Sequence, residues 1–112
     1  MTRFAFTNTA KRKLREIYTY SRQQWGRKAA QKYLALLERD IAQVAEGYAP
    51  TRINPAFSRR FPYYTSQKHH IFFEYLEDAL IVVTLFHSSM EVKRHLTEEM
   101  LTLERDIDQL NH

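Results

Sequence analysis

The residues best suited to chemistry in this chain are cations and histidines. Arg59, Arg60, His87, Lys93, Arg94 and His95 could in principle cleave RNA without a metal. That reaction needs a group to activate the 2′-hydroxyl, a proton donor for the leaving oxygen and cations for the phosphorane. Arg60, His87 and Arg94 form the candidate catalytic set. Arg60 is expected on the first strand of a β-meander and His87 at the end of the last, so their convergence depends on strand register, which the sequence leaves open. A strand-end histidine more often caps backbone or packs on a sheet. Lys93-Arg94-His95 reads better as a phosphate or protein contact than as a catalytic set. His69 and His70 are neighbours on an expected strand and point to opposite faces. With neither H-x-H nor H-x₃-H spacing and no cysteine, no metal site is expected. Two glycines are too few for a phosphate-cradling loop, and no nucleophile-elbow or paired-carboxylate signature occurs.

The elements that must position these groups are legible from periodicity. Residues 69–75 and 79–86 are branched and aromatic, of strand length, around a turn centred on Glu77 and Asp78. Residues 60–64 make a third, shorter strand before the polar TSQK turn. Pro62 falls inside it and cannot donate a ladder hydrogen bond, so that strand is expected at an edge or bulged. The three form an antiparallel meander. Residues 3–6 alternate and read as an N-terminal edge strand. Thr7, Asn8 and Thr9 offer a helix N-cap.

Ala10, Leu14, Ile17, Tyr18, Ser21 and Trp25 recur at helical spacing, with Gly26 as a left-handed stop. Ala30, Tyr33, Leu34, Leu37, Ile41, Val44 and Ala45 make a second stripe ending at Gly47. The two helices predict an αα-hairpin covering one face of the sheet. Trp25 is expected in its core. The aromatic group Phe61, Tyr63, Tyr64, Phe72, Phe73 and Tyr75 is expected to pack on the sheet. Residues 48–57, with Pro50 and Pro55, are a loop. After residue 86, a short turn or helix spans 90–96. Leu96, Met100, Leu103, Ile107 and Leu110 then mark an amphipathic tail helix. Too short to stand alone, it must pack on its own domain, a second copy or a partner.

At 112 residues the chain suits one folded domain, residues 1–96, with the extension 97–112. The class expected is α+β, in the order β-α-α-β-β-β plus the tail helix. No secretion-type apolar region opens the sequence, and the longest apolar run is too short for a bilayer, so a cytoplasmic protein with no membrane partner is expected. Charge is uneven. Residues 1–32 carry nine Lys/Arg against one acid, Glu16, whereas residues 97–112 carry five acids against one base, Arg105. The basic end suggests an acidic partner such as a nucleic acid, a nucleoprotein enzyme or an acidic protein tail.

Three pieces in order, Trp25-Gly26, Arg60-Phe61-Pro62 with His70-Ile71-Phe72, and His87-Ser88-Ser89-Met90-Glu91, resemble the ParE branch of the ParE/RelE toxin superfamily. The last is similar to that family's strand-end H-x-S-M-D, with Glu91 in place of Asp. The resemblance runs from about Phe4 to Leu96. It implies a toxin of a type II toxin–antitoxin pair that traps DNA gyrase with cleaved DNA, uses no cofactor, and is neutralised by a ParD-like antitoxin wrapping hairpin and sheet. The RelE branch shares the fold but cuts messenger RNA on the ribosome. Its several basic residues on the central strands are missing here, since residues 81–86 carry no charge. On this reading the protein binds rather than catalyses. Ser89, Met90, Glu91, Lys93 and Arg94 are the expected target contacts. Lys11, Arg15 and Arg22 with Arg59 and Arg60 are the expected antitoxin contacts, where an acidic amphipathic segment would meet both charge and groove. A homodimer or a mixed assembly with the antitoxin is compatible with the tail.

Overall fold

The computed structural model describes residues 3–110. Along the chain lie β1 (Arg3–Phe6), α1 (Asn8–Trp25), α2 (Arg27–Ala45), β2 (Tyr63–Ser66), β3 (His69–Tyr75), β4 (Ala79–His87) and α3 (Val92–Leu110). Asn111 and His112, the last two residues of the expected tail, lie outside the described residues.

Thr7 joins β1 to α1. Its hydroxyl accepts from Ala10 N–H at 3.0 Å, as an N-cap does, and donates to the Val83 carbonyl at 2.6 Å. Its own N–H donates to the Val82 carbonyl at 3.1 Å. One residue therefore caps the helix and fixes its start against β4. Gly26 is the whole connection between α1 and α2, with φ 92° and ψ 170°. This corrects the expected left-handed stop: the residue has positive φ but an extended ψ, a region open essentially to glycine alone.

The sheet order is β1-β4-β3-β2. β2, β3 and β4 form the antiparallel meander, but β1 pairs with β4 in parallel. The antiparallel meander is as expected, and the parallel β1, whose direction the sequence left open, makes the whole sheet mixed. The long return through both helices makes a parallel neighbour possible, because parallel strands require a long crossover. The first meander strand is Tyr63–Ser66, not residues 60–64. Pro62 has no N–H to give and precedes the strand, while its carbonyl accepts from Phe73 N–H at 2.9 Å. Arg60 consequently lies in the preceding loop, not on the strand.

A bulge sets the faces of β4. Phe72 pairs with Thr84 and Phe73 with Val82, so Val83 is the extra residue. Beyond it, Leu85 faces the hairpin and Phe86 faces α3. The core accordingly has two halves. Leu37, Ile41 and Val44 of α2, with Ala10 of α1, pack on Ile71, Phe73, Leu80 and Val82. On the opposite face Leu96, Leu103 and Ile107 of α3 pack on Phe61, Phe72, Ile81, Val83 and Phe86. The molecule is a three-layer α/β/α stack. α3 runs unbroken through positions 96 and 97, where the sequence suggested a division, and its buried leucines and isoleucine each contribute roughly 1.5–3 kcal/mol of apolar burial.

Candidate functional site

β1 pairs only with positions 79–82 of β4. The rest of that edge is flanked by α1 and α3, and the space between these walls opens into a groove of about 910 Å³. Ile17, Tyr20 and Trp25 of α1 form one wall, Leu85 and Phe86 the floor, and His95 and Glu99 of α3 the other wall. Lys68, His69, His87, Ser89 and Met90 line its far end. Such an apolar floor with a few convergent polar groups is typical of a binding site.

At the floor, Lys13 Nζ donates to Glu99 Oε2 at 2.8 Å and to Thr84 Oγ1 at 2.7 Å. It also sits 3.7 Å from the centre of the Phe86 ring. Burial lowers the Lys13 pKa despite the opposing pull of Glu99. Lys13 is thus a structural cation, not part of a free basic surface.

At the far end, His69 and His87 face each other from paired strand positions, ring centres 5.3 Å apart. The Tyr33 hydroxyl accepts from Lys68 N–H at 3.2 Å and is hydrogen-bonded to His69 Nδ1 at 2.6 Å. Ser89 N–H donates to His87 Nδ1 at 3.1 Å. His87 Nδ1 therefore acts as an acceptor, and His69 Nδ1 is paired with the Tyr33 hydroxyl. Burial first, then the neighbouring His87 and His70, lowers the His69 pKa to about 4. The Nδ1 atom of each ring is thus engaged within the protein. His70 points the other way, toward Phe57, Tyr63 and Thr65, as alternation along a strand requires.

Arg60, His87 and Arg94 are not assembled. The Arg60 guanidinium pairs with Glu74 at 3.1 Å and Glu104 at 3.5 Å. Glu74 pairs with Ile81, whereas His87 pairs with His69 at the other end of β3, roughly 17 Å along the strand. Arg94 lies on the first turn of α3, 3.7 Å from Glu91. The pleat that fixes these strand pairings fixes the separation.

The expected target contacts do come together. Ser89 and Met90 rim the groove. Met90, Glu91, Lys93 and Arg94 also line a neighbouring hollow of about 650 Å³ with Phe57 and Val92. Of the expected antitoxin contacts, Lys11, Arg15 and Arg22 are exposed and fall on one stripe of α1. None forms an ion pair among the described residues. Arg59 and Arg60 lie away from that stripe, beside β3 and α3.

Two groups take roles the sequence did not reveal. Trp25, expected in the core, is 65% exposed and contacts Tyr20 edge-on at 5.9 Å between ring centres. It ends α1 beyond the last buried residue, Ser21. A tryptophan directly before a lone hinge glycine and next to Arg27 and Lys28 was the available signal. The His69–His87 pair needed the strand register and had no sequence signal.

The chain matches a family model described as ParE toxin of type II toxin-antitoxin system, parDE, over residues 4–92, ending where α3 begins. It is 30% identical over 104 residues to Toxin ParE of Escherichia coli, covering 89% of this chain and 98% of the relative. A solved structure titled chromosomal ParDE TA system from P. aeruginosa superposes with a TM-score of 0.67 at 14% identity, covering 78% of this chain and 96% of that one. This third likeness speaks to the fold and agrees with the α+β architecture. Matched across most of its length by both sequence comparisons, the chain belongs to the family of ParE toxins of type II toxin–antitoxin systems.

Proposed function

We propose that this ParE-family toxin acts in the cytoplasm by binding, not by catalysis. Its target is DNA gyrase holding cleaved DNA, and a ParD-like antitoxin neutralises it. The observation that carries the binding mode is the histidine pair. His87 Nδ1 already accepts from Ser89 N–H, His69 Nδ1 is paired with the Tyr33 hydroxyl, and Arg60 is tied to two carboxylates at the far end of the sheet. Metal-free RNA cleavage needs a free base and a cation beside it. The rival, a RelE-like ribosome-dependent messenger endonuclease, would have to rebuild both.

A poison of this kind works by differential affinity for one enzyme state. Ser89, Met90, Glu91, Lys93 and Arg94 form the target contact, a continuous exposed strip from the end of β4 into α3. The antitoxin contact is the α1 stripe of Lys11, Arg15 and Arg22, on the side of the helix away from the groove, together with the groove itself. An acidic segment that wraps around α1 would set carboxylates on the stripe and apolar side chains on Ile17, Leu85 and Met90 in the groove. Arg59 extends that surface only if the segment wraps the sheet, and Arg60 is already paired.

The test is a plasmid supercoiling assay with purified gyrase. Lost supercoiling with ATP-dependent accumulation of linear DNA is the expected result. Unchanged supercoiling at stoichiometric excess, together with cleavage of ribosome-bound messenger, would replace this reading with the ribonuclease.

A further inference from the structure

The tip of the helical hairpin joins one end of the groove wall, Tyr20 and Trp25, to a cluster of cations that do not line the groove. Four cations lie within two turns of Gly26: Arg22, Arg27, Lys28 and Lys32, all exposed. None has an acidic partner among the described residues. No acid occurs in the sequence between Glu16 and Glu38.

α2 begins here without a side-chain cap and without an acid in its first turn. Its first N–H groups lack intrahelical acceptors, and the positive end of its dipole meets Arg27 and Lys28 rather than a carboxylate. Every local charge choice at this helix start is unfavourable in the free protein. An anion would relieve all of them at once.

Beside them in the chain, at the end of α1, Trp25 is 65% exposed, with Tyr20, 58% exposed, set edge-on against it. A large aromatic plane beside cations, on a rigid helix end, suits an unpaired base flanked by phosphates. Stacking supplies affinity for the base and the cations for the backbone. An acidic peptide would use the cations and the helix start but leaves the exposed indole without a flat partner.

We infer that the hairpin tip, built from Trp25, Arg22, Arg27, Lys28 and Lys32, binds single-stranded DNA by base stacking and phosphate contact. This deepens the proposed function, on which it rests only for naming DNA as the source of the strand.

Trp25 is the only tryptophan, so its emission reports directly on the site. The protein is titrated with an oligothymidylate, a duplex of equal length and a polyglutamate peptide. Anisotropy of labelled oligonucleotide gives affinity from about 50 to 200 mM salt. The single strand is expected to quench Trp25 and to bind more tightly than the duplex. Trp25→Ala is expected to weaken binding roughly five- to a hundredfold, with Trp25→Phe recovering most of it. Arg27→Gln/Lys28→Gln/Lys32→Gln should flatten the slope of log affinity against log salt by about 2, near 0.7 for each phosphate no longer neutralised. These surface substitutions do not touch the core, so they report even if Trp25→Ala disturbs folding. Absent quenching, equal quenching by polyglutamate, or an unchanged salt slope in the triple variant would overturn the inference. The gyrase assay separates the two readings. Single-strand binding without cleaved complexes would sink the proposed target and leave the tip site standing. Full poisoning by both tip variants would do the reverse.

Discussion

Lys13 Nζ and Glu99 Oε2 lie 2.8 Å apart and tie α1 to α3 beneath the groove floor. Their side chains are only 13% and 24% exposed. Removing one partner strands the other charge, which is costlier than removing both. Glu99→Ala is expected to destabilise by about 2–3 kcal/mol, the cation keeping only Thr84 and the Phe86 ring. Lys13→Met with Glu99→Leu should recover more than half of that loss, because the pair spans an apolar setting. Urea unfolding of the two singles and the double measures the coupling. Additive effects would show that the pair does not lock the helices.

α3 is a core element, and two of its leucines separate the consequences. Leu103 is fully buried, whereas Leu101, half a turn away, is 79% exposed. Leu103→Ala is expected to cost roughly 2–4 kcal/mol, as a core leucine does, and Leu101→Ala less than about 0.5 kcal/mol. Deleting residues 97–112 uncovers Phe72, Val83 and Phe86 and should abolish cooperative thermal unfolding. A deletion variant that still melts cooperatively at an unchanged midpoint would make the helix an appendage. It could then act as a removable cover or a pairing element for a second copy.

The hairpin and the meander were legible because their signals are local: helical stripes closed by the two glycines, and β-rich runs of strand length. Register and sidedness were not local. Thr84 meets Glu99 only because Val83 is bulged, and no residue type announces that bulge. β1 reads as an edge strand, but its parallel direction follows from where the chain goes afterwards. The seam Leu96, Met100, Leu103 and Ile107 announced a buried face without saying what covers it. The sheet face beneath, with Phe72 and Phe86, supplied the answer. The exposure of Ser89, Met90, Glu91, Lys93 and Arg94 and of the α1 cations followed from their place in the sequence pattern. Arg60 was misplaced because Pro62 delays the strand by three residues relative to the expected start.

His69 gives the protein a pH dependence with a definite sign. Burial holds the folded His69 pKa at about 4, below its ordinary value of 6.5. Between these values the unfolded chain binds the extra proton, so stability rises with pH through that window. On acidification from pH 6.5 toward 4, stability is expected to fall by roughly 1–2 kcal/mol after allowing for solvent screening. His70, also lowered, acts in the same direction. His69→Gln should remove most of the slope in a series of urea titrations. An unchanged slope in that variant would assign the acid sensitivity to other groups.

The single-residue hinge makes the last test a matter of backbone alone. A Cβ at Gly26 would meet nothing within 4 Å, yet its φ of 92° combines with a ψ of 170°. Gly26→Ala therefore has room for its methyl group but no relaxed backbone to occupy. The expected cost is about 1–3 kcal/mol, read as a lower midpoint in thermal unfolding. A change in Trp25 emission should accompany it, since that residue adjoins the hinge. If Gly26→Ala were neutral, α1 and α2 would have to shift to a second hinge geometry, and the tip cations would move with them. An unchanged melting midpoint with altered Trp25 emission would be the signature of that rearrangement.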